Sequence, residues 1–146
     1  MTADDITHEI AVTIDTLIWE LRRFGEQQVG LTPLPQSEFD VLRAVFDRPG
    51  ATVSDIARRL SRQPSNISTS VRRLVERGLL EREIDPRDRR SGLLRPTEQA
   101  RLDRRAIDTA WDSAVGRVLE TMTDDEVRTM VAAVPLLRRM TDLPHR

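Results

Sequence analysis

The sequence predicts a mainly α-helical protein with one small β-hairpin, and three observations carry that expectation. Apolar residues recur at spacings of three and four over most of the chain. A break near its middle reads as two short apolar segments around the charged run "DPRDRR". Helix-starting and helix-stopping residues stand at the ends of the periodic stretches.

The first helix is expected over Asp4 to Phe24, where Ile6, Ile10, Ile14, Leu17, Ile18 and Leu21 form one stripe. "VGLTPLPQS" interrupts it with a glycine and two prolines, and a second helix follows through Phe39, Leu42, Val45 and Phe46 to "DRPGA". Thr52 is placed to cap a short third helix with Asp55 three residues on, and Ile56, Ala57 and Leu60 form its inner face. "SRQ" then makes a turn. Pro64 suits the first position of a fourth helix, where its missing N–H has no intrahelical partner. Ile67, Val71, Leu74 and Val75 supply that helix's apolar face, and Gly78 stands where a left-handed residue would stop it.

Short strands are expected in "LLEREI" and "SGLLR", with the Asp-Pro turn signal between them. From Pro96 the pattern is helical again, with a wide apolar face from Leu102 to Met122. Thr123 and Glu126 form a capping box for a last helix, in which Pro135 should cause a kink.

Composition narrows the chemistry. The chain has 146 residues, no cysteine and two histidines, His8 and His145, at its two ends. Thiolate metal sites, disulfides and thiol redox switches are thereby excluded, and no cofactor or metal is expected. No apolar run approaches the roughly 18 residues of a membrane helix, and the acidic start "MTADDITHEI" is unlike a signal peptide, so a cytoplasmic location is expected. The motifs of common hydrolases, metalloproteases and nucleotide-binding enzymes are missing, and no enzyme is expected.

The net charge of −1 is unevenly divided: residues 54–95 hold 11 Arg against 6 acids, whereas the remainder holds 12 Arg against 18 acids. All 23 basic residues are Arg, which codon bias in a high-GC genome explains more simply than function, so only their positions are informative.

With Ile67, Val71 and Leu74 inward, the fourth helix turns Ser65, Asn66, Ser68, Thr69, Arg72 and Arg73 outward. Short hydrogen-bonding groups followed by arginines, on the second of two helices joined by a tight turn, describe a helix-turn-helix whose second helix enters the DNA major groove. The hairpin that follows, with Arg87, Arg89 and Arg90 at its tip, then takes the place of a wing.

"FDVLRAV", "TVSDIARRL", "VRRLVERGLLERE" and "DPRDRRSGLLRPTEQA" together resemble signatures of the MarR (multiple antibiotic resistance regulator) winged-helix family. The likeness covers about Leu31 to Ala100 by motif and the whole chain by element order. Pro96, Thr97 and Ala100 depart from common family residues without touching the proposed DNA surface. The resemblance implies a homodimer on double-stranded DNA, with Asp85 ordering the wing arginines and Arg87 or Arg90 entering the minor groove. It also implies a small aromatic or anionic effector, for which Trp19, Arg22, Arg23 and Trp111, with Phe24 beside them, are candidates; core packing is the competing role for the aromatics.

The expected organisation is a dimerisation helix and linker over residues 1–34, a winged helix-turn-helix module over 35–95 and dimerisation helices over 96–146. A first helix and two last helices more apolar than the small module can cover suggest the dimer independently. The competing function is a winged-helix adaptor that binds only protein.

Overall fold

A computed structural model describes residues 2–84, 86 and 92–141. Six helices and a two-stranded antiparallel sheet follow one another as α1 (Ala3–Gln28), α2 (Gln36–Asp47), α3 (Val53–Arg59), α4 (Pro64–Glu76), β1 (Leu80–Ile84), β2 (Gly92–Pro96), α5 (Glu98–Leu119) and α6 (Asp124–Met140).

The local signals act as expected. Thr52 accepts from the Asp55 amide while the Asp55 carboxylate takes the Thr52 amide, closing a capping box on α3. Thr123 and Glu126 do the same for α6, and α1 carries a further capping box, Thr2 with Asp5, that is not among the expected ones. Pro64 occupies the first turn of α4, and Gly78, at φ +70°, turns the chain out of that helix. The last helical region starts two residues later than expected. Pro96 closes β2 opposite Leu80, and Thr97 caps α5 by accepting from the Ala100 amide. The same Thr97 hydroxyl donates to the Gly78 carbonyl at 2.6 Å, so one side chain fastens the start of α5 to the end of α4. Helix α6 runs through Pro135 as one element.

The core belongs to the middle module. Val41, Val45, Ile56, Ile67, Val71 and Leu74 from three helices close on Leu80 and Leu94 from the sheet, all essentially without solvent exposure. Truncating one of them, such as Leu74→Ala, is expected to cost about 2–5 kcal/mol through lost burial and the cavity left behind. Ala51 bridges Leu94, with the Leu94 amide donating to the Ala51 carbonyl at 2.9 Å. This bridge fixes the α2–α3 connection on the sheet.

Outside that core the chain is thinly packed. Helix α1 lies against α5, but no residue of α6 is buried within the chain. Ile18, Trp19, Val118, Val131 and Leu136 are each more than half exposed. An apolar surface spread over three helices is far more than a lone soluble chain ordinarily shows to water.

Candidate nucleic-acid interface and adjoining pocket

Helix α4 is held by its apolar stripe and presents the rest. At about 100° per residue, Ser65, Thr69, Arg72 and Glu76 lie opposite Ile67 and Val71, while Ser68 occupies one flank and Asn66 and Arg73 the other. Ser65, Asn66, Ser68 and Arg72 are exposed and Thr69 is half-buried. The structure therefore brings the six expected residues of α4 onto one outward half of the helix, in a band with Arg72 near its centre. Among the described residues Arg72 has only a loose pairing with Glu76, Nε to Oε1 at 4.0 Å between two exposed groups.

Arg73 is different. Its Nη1 lies 3.5 Å from Oε1 of Glu38, a carboxylate whose side chain is only 4% exposed. Arg77 places its own Nη1 3.6 Å from Oε2 of the same group and donates from Nη2 to the Thr32 carbonyl at 3.0 Å. A buried carboxylate requires such partners, because desolvation without a counter-charge costs several kcal/mol. Sequence reading placed Arg73 with Arg72 and passed over Glu38. The available signal was the acid itself, one turn before Val41 and Leu42 on the inward stripe of α2.

The turn between α3 and α4 is strained and cross-tied. Ser61 adopts φ +51°, a left-handed conformation that no glycine in the sequence announced. Arg62 donates from Nη2 to Oδ2 of Asp40 at 2.8 Å, and Arg59 to Oδ2 of Asp47 at 2.7 Å, so α2 holds the turn from both sides. The polar chain continues from Asp40 Oδ1 to Nε2 of Gln36 at 2.6 Å, and from Gln36 Oε1 to Nη1 of Arg22 at 2.5 Å. Arg22 also donates to the Leu34 carbonyl and stacks on Phe39, its Cζ 4.1 Å from the ring centre.

Asp85, Arg87, Arg89 and Arg90 lie outside the described residues. At the base of the wing, β1 and β2 pair from Leu80 with Pro96 to Ile84 with Gly92. Arg95 donates from Nε to Glu83 at 2.6 Å across the strands.

A cavity of about 390 Å³ opens between the end of α1, α2 and α5. Its walls are apolar, with Leu31, Phe39, Leu42, Phe46, Ile107 and Trp111, and Arg22, Arg43, Arg77 and Arg104 stand around it. Three of these arginines already have partners: Arg22 pairs with Glu26, Arg77 with Glu38 and Arg104 with Asp108. Of the four residues expected to bind an effector, Arg22 and Trp111 line this cavity. Trp19 and Arg23 do not; they are exposed, with Arg23 4.9 Å from the Trp19 ring centre. The reason is helical geometry: Arg23 is turned about 100° from Arg22, and Trp19 lies nearly a turn further from the cavity end of α1.

Among the described residues no group of three acidic or histidine side chains is arranged to hold a metal ion, and no helix is long and apolar enough to cross a membrane.

Comparison with known proteins places this arrangement. Residues 29–91 match the model of the MarR family. RV1404 from Mycobacterium tuberculosis superposes with a TM-score of 0.80 at 22% identity, covering 99% of this chain and 98% of that one. FabT of Streptococcus pneumoniae, solved in complex with DNA, gives 0.70 at 19% identity over 94% of this chain and 96% of its own. A variant of S. aureus MepR bound to an oligodeoxyribonucleotide gives 0.65 at 18% identity over 97% and 99%. No curated protein matches the sequence significantly. The central module, residues 29–91, is thus similar to the MarR family, and the chain shares the winged helix-turn-helix fold of these solved structures over nearly its whole length.

Proposed function

We propose that this protein is a sequence-specific DNA-binding regulator that represses transcription as a homodimer on a pseudopalindromic operator, in the cytoplasm, and is released by a small aromatic or anionic effector. The observation that carries the reading is the outward half of α4, where Ser65, Asn66, Ser68, Thr69 and Arg72 are presented together while Ile67, Val71 and Leu74 are buried; Val75, expected on the same apolar face, is exposed. Such a helix matches the dimensions and chemistry of the major groove, where Arg reads guanine, Asn reads adenine, and Ser or Thr contacts phosphates or bases. The wing residues Arg87, Arg89 and Arg90, ordered by Asp85, would add minor-groove and phosphate contacts.

The exposed apolar faces of α1, α5 and α6 support the dimer, since a second copy of the same surface would cover them. Two recognition helices in such a dimer would stand roughly 34 Å apart and address half-sites one helical turn apart. The cavity with Arg22 and Trp111 lies between the dimerisation helices and the module, so a ligand there regulates to the extent that it favours one spacing over another.

Fluorescence anisotropy of the protein with the DNA flanking its own gene, at two salt concentrations and against random DNA, tests the proposal. Tight, salt-sensitive and sequence-selective binding is expected. Equally weak, salt-insensitive behaviour on both DNAs would favour the protein-binding adaptor instead.

A further inference from the structure

We propose that Glu38 divides its charge between Arg77, in the wall of the cavity, and Arg73, on the flank of the recognition helix, and so makes the DNA contact of Arg73 depend on what Arg77 is doing. This rests on the reading above that α4 faces DNA and that the cavity admits an anion. Glu38 is 3% exposed, and its two carboxylate oxygens face two different guanidinium groups at 3.5 and 3.6 Å. Arg73 lies in the last turn of α4 and Arg77 caps its end about one helical turn on, but they point into different surroundings. Arg77 lines the cavity and reaches the Thr32 carbonyl; the Arg73 side chain is 58% exposed.

A buried carboxylate cannot turn to water when one partner leaves. An anion that takes Arg77 from the cavity side therefore leaves Glu38 leaning on Arg73, which is drawn away from the phosphates that it would otherwise neutralise. Replacing Arg77 has the same electrical consequence. Neutralising Glu38 has the opposite one, because both arginines are then uncompensated. The device needs no movement of the helix and couples the two faces of α4 through one side chain.

The test combines Arg77→Gln, Glu38→Gln, Arg73→Gln and their pairs, titrated against a short mixed-sequence duplex over a range of salt. Arginine side-chain NMR of each variant without DNA accompanies the titrations. Arg77→Gln, remote from the DNA, should weaken duplex binding about five-fold and reduce the salt slope by up to about 0.9, the share of one phosphate. Once Glu38→Gln or Arg73→Gln is present, Arg77→Gln should have no further effect. In the spectra, Arg77→Gln should shift and further immobilise the Arg73 guanidinium. Additive effects in the double variants, or an Arg73 signal indifferent to Arg77→Gln, would overturn the proposal. If the wild-type protein does not bind the duplex at all, the DNA reading fails, and the NMR arm alone still decides whether Glu38 shares its charge.

Discussion

The indole of Trp111 and the missing side chain of Gly25 fit together: Trp111 donates from Nε1 to the Leu21 carbonyl at 2.7 Å, and a Cβ on Gly25 would lie 2.6 Å from that same nitrogen. Ile107 Cγ2 would be 2.8 Å from it as well. Glycine at this point lets α1 approach α5 closely enough for the hydrogen bond that joins them. Gly25→Ala should therefore push the helices apart and destabilise the protein by about 1–3 kcal/mol, the usual cost of overpacking. Denaturation monitored by circular dichroism checks the loss, and a change in Trp fluorescence should accompany it. An unaltered midpoint would mean that α1 shifts at no cost.

The exposed face of α6 gives a second prediction. Val131 is 65% exposed in the single chain. If the proposed homodimer forms through this face, Val131→Asp should shift it to monomer in light scattering, while the core of the winged module remains folded. A monomer presents only one recognition helix, so operator affinity should fall by orders of magnitude. If the measured mass stays that of a dimer, the interface lies elsewhere.

Arg72 and Arg90 should fail differently. Arg72 lies near the centre of the outward band of α4, so Arg72→Ala should alter the preferred operator sequence and cost about 1–3 kcal/mol on the best site. Arg90 falls between β1 and β2 in the sequence, outside the described residues; if it makes the proposed phosphate contact, Arg90→Ala should weaken binding on all sequences and reduce the salt slope by about 0.9. Operator-variant titrations at several salt concentrations separate the two effects. Identical behaviour of both variants would contradict the division between base reading and phosphate contact.

The third helix carries a pH dependence. Bonds from the Thr52 amide and hydroxyl hold the Asp55 carboxyl below its ordinary value of 3.8, with desolvation opposing and the nearby Arg58 and Arg48 adding to the lowering. A carboxylate depressed in the folded state stabilises it above the unfolded pKa and loses that contribution as pH falls through the folded one. Asp55→Asn should thus be less stable than wild type at pH 7, and the gap should close as the pH falls below the ordinary carboxylate range. Thr52→Ala should cost about 1 kcal/mol at neutral pH by removing the cap. Thermal melts across this range measure both, and a gap independent of pH would rule out the charged capping box.

What the sequence by itself determined is the part of the protein governed by neighbours along the chain. Thr52 with Asp55, Thr123 with Glu126, Pro64 and Gly78 each act on backbone groups within a few residues, so helix ends were legible in order and type. The outward half of α4 was legible too, because a helical period needs no knowledge of what lies opposite. Tertiary structure decided the rest. Arg73 leaves its sequence neighbours for Glu38, 35 positions earlier, and Trp111 finds the Leu21 carbonyl 90 positions away. Trp19 and Trp111 are equal candidates for the cavity in the sequence; the crossing of α1 and α5 half-buries Trp111 in the cavity wall and leaves Trp19 in solvent. These outcomes depend on which surfaces meet, and desolvation acts only once they have met: a lone acid on an apolar stripe becomes a buried counter-ion only where the fold delivers two arginines to it.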